Sequence, residues 1–177
     1  MVKLNAAQLR KGSPSLKLRR IKRSDIYIVL DNVLDTYNIG SIFRLADAVV
    51  AKKIYLCGGT ETPPNPRIKK ASINTTEIVD WEYSETAPEV IKKLKKEVKN
   101  IQILSIEQSS KSIPYDKFEY KLPTCLVVGH ESNGISQEVL KISDAIVEIP
   151  MFGVNISLNV VVSLGIVLYK VIEKTTP

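Results

Sequence analysis

The chain has 177 residues and a mass of 19.7 kDa, the size of one domain. Apolar residues make up 44% and charged residues 25%, which excludes disordered, collagen-like and disulfide-scaffold classes. The formal charge of +6 is unevenly placed. Eight of the 25 basic side chains (Lys3, Arg10, Lys11, Lys17, Arg19, Arg20, Lys22 and Arg23) fall in residues 1–24, which hold no acid, so the rest of the chain carries 17 bases against 19 acids.

Residues 1–24, with Gly12, Ser13, Pro14 and Ser15 among the charges, read as a basic, mobile arm, and residues 25–177 as one folded domain. Such an arm implies an acidic partner, nucleic acid ahead of an anionic membrane surface. The unbroken apolar run 26–30 predicts a strand buried on both faces. A helix is expected over 39–50, where Ile39, Ile42, Phe43, Ala46, Val49 and Val50 recur at helical spacing. Residues 53–57 predict a second buried strand, closed by Gly58-Gly59. Three prolines in 60–66 demand a loop. A short helix is expected over 67–74, a short strand over 77–81 and an amphipathic helix over 87–99. Strands follow at 101–106, 124–129 and 145–149, with a polar segment at 108–123 and a short helix at 135–141. A turn at 150–155 leads into a last helix over 157–173. Alternating helices and continuously apolar strands predict an α/β fold, a mostly parallel sheet with helices on both faces.

Cys57 and Cys125 sit in apolar runs 68 residues apart and read as free buried thiols of a reducing, cytoplasmic compartment. His130 is the only histidine, so no metal site is expected. No apolar segment backs the arm's charges, so no signal peptide is expected. The most apolar stretch, 154–172, contains Asn155, Ser157, Asn159, Ser163 and Lys170 and reads as a core helix, not a membrane span.

In parallel sheets ligands sit beyond the carboxyl ends of the strands, and three loops there carry polar residues. In 30–48, Asn38 can cap the following helix. With Arg44 it forms either a capped helix with a surface arginine or a polar pair facing a phosphate or sugar. In 126–136, Gly129 and Gly134 bound a strand-to-helix turn that is neither a Walker A loop nor GxGxxG. There Glu131 can orient a ligand, cap the helix or be an ordinary turn acid, and His130 favours a hydrogen-bonded structural role over catalysis. In 148–172, Ile149-Pro150-Met151 can line an apolar slot for a flat ring. Asn159 stands inside an apolar helix, where an unpaired amide costs about 1–3 kcal/mol; a neighbouring loop or a ligand must satisfy it.

The segments NIGSIFRLADA, LVVGHESNGIS and IPMFGVNISLNVVVSLGIVLY, in this order, resemble motifs 1, 2 and 3 of the SpoU (TrmH-like) RNA 2′-O-ribose methyltransferases of the SPOUT superfamily, over about residues 26–173. The resemblance implies a deep C-terminal trefoil knot, a homodimer and S-adenosyl-L-methionine as methyl donor. Carried over residue by residue, Asn38 and Arg44 match the Asn and catalytic Arg of motif 1, Glu131 the Glu of motif 2, and Ser157 and Asn159 the Ser and Asn of motif 3. Leu56, Cys57, Gly58, Gly129, Glu131, Ile149, Met151, Ser157 and Leu158 would surround the cofactor. Arg10, Lys11, Arg19, Arg20, Lys22, Arg23 and Arg44 would contact RNA. The sequence departs from the family at Ile73-Asn74, at His130 and at Val50-Ala51, beside the core positions. The implied reaction is attack of a ribose 2′-OH, in tRNA slightly ahead of rRNA, on the sulfonium methyl. Arg44 would serve as base or, because a guanidinium in water keeps its proton, as a phosphate anchor that positions the ribose. Three other readings compete. One is a knotted binding module for S-adenosylmethionine and RNA without turnover. A membrane-surface protein is disfavoured by the arm's few apolar anchors, Leu9, Leu16 and Leu18. A nucleotide-binding doubly wound enzyme would need a Gly-rich phosphate loop, which is missing.

Overall fold

The computed structural model describes residues 4–11 and 22–175. Lys3, Lys17, Arg19 and Arg20 lie outside the described residues, as do the side chains of Arg10 and Lys11. The elements in chain order are α1 (Ala6–Lys11), β1 (Ile26–Asp31), α2 (Thr36–Ala48), β2 (Lys53–Cys57), α3 (Pro66–Ser72), a 3-10 turn (Thr75–Glu77), β3 (Trp81–Ser84), α4 (Ala87–Glu97), β4 (Gln102–Ile106), β5 (Ile113–Pro114), β6 (Thr124–Gly129), α5 (Gln137–Ile142), β7 (Ala145–Glu148) and α6 (Val160–Thr175). The strands form one sheet in the order β3-β2-β1-β6-β4-β7-β5, and every neighbouring pair is parallel.

The unbroken apolar runs are explained by burial on both faces. Along β1, Ile26, Ile28 and Leu30 pack with Ile42 and Phe43 of α2, Ile68 of α3 and Leu164 and Val167 of α6. Tyr27 and Val29 point the other way, to Val90, Ile91 and Leu94 of α4 and Val139 of α5. The alternation is the two-residue period of a strand. Both cysteines are free and buried in this second layer.

Helix starts are set by local caps. Asp35 accepts a 2.7 Å bond from the Tyr37 amide to start α2, so Asn38, the expected cap, is the third helical residue instead. The Asn65 side chain accepts from the Arg67 and Ile68 amides, with Pro66 at the first helical position of α3. Two further expectations shift. The strand placed at 77–81 begins at Trp81, because Ile73 and Asn74 are left-handed (φ 53° and 63°) and turn the chain into the 3-10 segment. The last helix starts at Val160, not at 157. Within the expected arm, Ala6–Lys11 is helical. No described helix is long and apolar enough to cross a membrane.

The helix pair α2/α3 brings the first polar loop to its place, and it is fitted at Gly40. A Cβ there would lie 2.5 Å from the Ala71 Cβ and 2.8 Å from the Ile68 carbonyl oxygen. Gly40→Ala is therefore expected to cost about 1–3 kcal/mol by overpacking, read as a lower urea midpoint. An unchanged midpoint would show that the two helices are not held this closely.

Candidate active site

The sheet reverses its winding between β1 and β6, whose ends pair at Asp31 and Gly129. At such a switch the two following loops part and leave a crevice. Loops 32–35 and 130–136 leave the sheet here, and the segment 149–159 approaches them from β7.

One carboxylate fastens the first two. Glu131 accepts hydrogen bonds from the Leu34 amide (3.1 Å), the Asp35 amide (3.0 Å) and Asn38 Nδ2 (2.9 Å). Asn38, nearly buried, then accepts at Oδ1 from Asn159 Nδ2 at 3.1 Å. Asn159 Oδ1 in turn accepts from the Val161 amide at 2.9 Å, and the Asn159 carbonyl receives the Ser163 amide. Asn159 is thus the exposed N-cap of α6 rather than a buried interior amide. Asn38 turns to Glu131 and Asn159, not to Arg44, which is exposed farther along α2. Burial pushes the Glu131 carboxyl up, but the bonds from Asn38 and from the Leu34 and Asp35 amides outweigh it and hold it below its ordinary value.

The 130–136 loop is closed on itself. His130 and Gly134 exchange backbone bonds of 3.1 and 2.9 Å. His130 Nδ1 accepts from the Ser132 and Asn133 amides, a structural task for the imidazole. Gly134 has φ +67°, and a Cβ on it would meet Glu107 Oε2 at 2.3 Å; one on Gly129 would meet the Gly134 carbonyl carbon at 2.3 Å. A side chain at Gly129 would collide with backbone, and one at Gly134 would be strained by the positive φ and would displace the Glu107 carboxylate. Glu107 Oε2 accepts from the Ile135 amide and Asp31 Oδ2 from the Ser136 amide, so two acids at strand ends grip the far side of the loop.

Beside this cross-link lies a cavity of about 460 Å³. Of the residues expected around a cofactor, Gly129, Glu131, Ile149, Met151, Ser157 and Leu158 line it, together with Asn159 and His130. Leu56, Cys57 and Gly58 do not. β2 is separated from β6 by β1, Leu56 and Cys57 are wholly buried, and Gly58 is covered by the Asn32 side chain. Their place is taken by Ile106, Glu107 and Gln108 at the end of β4, which pairs with β6 on the cavity side. Gln108 Nε2 also donates to the Ile156 carbonyl at 2.6 Å and ties down the third loop. Sequence reasoning missed Glu107 and Gln108; the available signal was a polar pair directly after a buried strand. Among the described lining residues the charged groups are Glu107, Glu131 and Glu148, with no lysine or arginine. Arg44 is outside the lining. Lys22 is exposed, whereas the Arg23 guanidinium donates to the Ile78 carbonyl and is committed to the fold. Among the described residues no cluster of His, Cys, Asp and Glu could hold a metal.

The sequence model of the SpoU rRNA Methylase family matches residues 25–169. The chain is 35% identical over 154 residues to a tRNA (guanosine(18)-2′-O)-methyltransferase of Aquifex aeolicus, covering 84% of this chain and 69% of that protein. It is 28% identical over 152 residues to the Escherichia coli protein of the same name, covering 84% of this chain and 63% of that protein. The chain thus spans just under two thirds of the second relative's length. An S-adenosylmethionine-bound rRNA methyltransferase from Sinorhizobium meliloti superposes with a TM-score of 0.78 at 28% identity, over 88% of this chain and 59% of that one.

Because the Glu131 carboxyl is held below its ordinary value, its stabilising effect is present above the ordinary carboxylate range. It is lost as pH falls through the depressed native value. The stability gap between the wild type and Glu131→Gln, read from urea unfolding at a series of pH values, is expected to be full near neutrality and to close on acidification. A gap that stays constant into the acid range would contradict the role given to the carboxylate.

Proposed function

This chain belongs to the SpoU rRNA Methylase family, and on that footing we propose that it is an S-adenosyl-L-methionine-dependent methyltransferase acting on a ribose 2′-OH of structured RNA, tRNA slightly ahead of rRNA. The observation that carries the reading is the Glu131–Asn38–Asn159 cross-link, which joins all three family motifs at the rim of one cavity. The names of the Aquifex and Escherichia relatives support the tRNA preference.

The cavity fits the cofactor in size and in donor set: apolar walls from Val128, Ile149, Met151 and Leu158 for a flat ring, and carboxylates without a competing cation for a positive centre. Backbone groups of the 129–134 loop and the Ser157 and Leu158 segment would hold it. When bound, S-adenosylmethionine supplies an electrophilic methyl on a positively charged sulfur. The chain's own residues orient the other reactant. Glu131 and Asn38 fix the start of α2 and with it the direction of Arg44. Arg44 is exposed and in no ion pair among the described residues, which fits a phosphate anchor that places the ribose. Asn159 sets the start of α6 and, through it, the position of Ser157. Lys22 and the rest of the arm would supply sequence-independent affinity for phosphate.

A C-terminal knot and a homodimer belong to the same reading. After β7 pairs with β4, the chain returns through 149–159 and packs α6 on the α2 side of the sheet, a path consistent with a threaded C-terminal knot. Phe152 and Val154 are fully exposed, Ile156 is largely so, and Tyr37, Val162 and Tyr169 are about half exposed. That much apolar surface beside the site fits a homodimer interface. The free buried cysteines and an RNA substrate support a cytoplasmic location.

Arg44→Ala is expected to abolish transfer of labelled methyl to tRNA while binding S-adenosylmethionine normally in calorimetry; near wild-type turnover would refute the assignment. A wild-type chain that binds cofactor and RNA but transfers nothing would favour the binding-module alternative. Sedimentation is expected to give twice the 19.7 kDa chain mass, falling to the monomer in Val154→Asp. A monomeric wild type would exclude the interface.

A further inference from the structure

Three carboxylates line the cavity, and their hydrogen bonds set one apart from the other two. Glu131 is taken up by the Leu34 and Asp35 amides and by Asn38. Glu107 spends one oxygen on the Gln108 amide and the other on the Ile135 amide. Glu148 lines the same cavity from the last position of β7, where it is partly buried. Among the described residues its carboxylate is in no ion pair and accepts no hydrogen bond. Its lone pairs are therefore unspent, beside a space of ligand size.

The position of Glu148 decides which donor it can serve. The sheet order β6-β4-β7 puts the end of β7 two strands from β6, about 10 Å away at ordinary strand spacing. Glu131 and its link to Asn38 and Asn159 lie at the β1 and β6 end. On the reading of the chain as a methyltransferase the reacting methyl belongs at that end, beside the helix that carries Arg44. The flat ring belongs at the other end, against Ile149 and Met151, which follow Glu148 in the chain and line the same cavity. Gln108 holds this wall through its bond to the Ile156 carbonyl. The group joined directly to the cofactor's ring is a ribose with two neighbouring hydroxyls, both able to donate. An ionised carboxylate only accepts, and it can take such a pair with one oxygen each.

We propose that Glu148 binds the ribose diol of the cofactor's adenosine and is the residue that selects a ribonucleoside at this end of the cavity. The proposal rests on the reading of the cavity as an S-adenosylmethionine site. The cofactor's ammonium group is the other donor that a free carboxylate could take, and the test separates the two.

The test is calorimetry on the full chain with S-adenosylhomocysteine, the thioether that methyl transfer leaves behind. Its 2′-deoxy and 3′-deoxy analogues are compared with it, and so is 5′-methylthioadenosine, which keeps the ribose and lacks the amino-acid tail. The wild type is expected to bind each deoxy analogue roughly tenfold more weakly than the parent. Glu148→Ala is expected to weaken S-adenosylhomocysteine and 5′-methylthioadenosine alike, by roughly ten- to a hundredfold, and to bind the deoxy analogues as well as the parent. Glu148→Gln keeps the shape and one acceptor oxygen; it is expected to fall between the two, with the urea midpoint of the wild type. A loss confined to S-adenosylhomocysteine, with 5′-methylthioadenosine unaffected, would assign Glu148 to the ammonium group and overturn the proposal. If the wild type binds S-adenosylhomocysteine and both variants keep its affinity and its penalty for the deoxy analogues, the ribose contact is wrong and the methyltransferase reading stands. A wild type that binds neither S-adenosylmethionine nor S-adenosylhomocysteine overturns both.

Discussion

Everything at the candidate site depends on one carboxylate having no choice of partners. Glu131 can only accept, so Asn38 must present its NH2 to it and its carbonyl oxygen to the other side. That oxygen can only be met by a donor, which orients Asn159 in turn and leaves the Asn159 oxygen for the Val161 amide. The direction of every amide is set by the charge at one end. Three loops distant in sequence are thereby held in a fixed relation by bonds that lose their complementarity if any one residue is changed to a shape-alike of different donor pattern.

The rest of the fold makes that carboxylate available. Two glycines allow the 129–134 turn to fold back so tightly that Glu131 points across the crevice to loop 32–35. Asp31 and Glu107 take amides at the end of the same loop, so acids at the ends of β1 and β4 secure what Glu131 cannot reach. The parallel order β1-β6-β4 places these acids on either side of β6, flanking the loop that leaves it.

Strand positions were legible because burial on both faces leaves an unbroken apolar signature, and all but the short outer strands carry it. The strand expected at 77–81 was misplaced because Ile78 and Val79 are apolar for a different reason: they follow a 3-10 turn and are buried by it. Asn38, Glu131 and Asn159 could be named from the motifs, but not how they bond. Asp35 is as good a capping residue as Asn38, and in the structure it takes the cap while Asn38 turns to Glu131. Leu56, Cys57 and Gly58 lie away from the cavity for a global reason. Sequence shows that a strand ends there, but not that β4, and not β2, is the neighbour of β6 on the cavity side. The order of strands in a sheet is a long-range property that no local pattern carries.

Net charge, the plainest feature of the sequence, divides further in three dimensions. The cavity wall carries Glu107, Glu131 and Glu148 without a base, whereas Arg44 on α2 and Arg67, Lys69 and Lys70 on α3 are exposed outside it. At physiological ionic strength exposed charges act over about 8 Å, so each set governs its own surroundings. A polyanion is repelled by the acidic wall and drawn to the α2/α3 flank, while a compact cationic group meets the opposite preference. Such a partition would let two reactants of opposite charge approach the same cross-link from different sides without competing for one site. A domain whose charges nearly cancel can therefore discriminate more sharply than its total suggests, since the discrimination resides in how the charges are separated across the Glu131–Asn38–Asn159 seam.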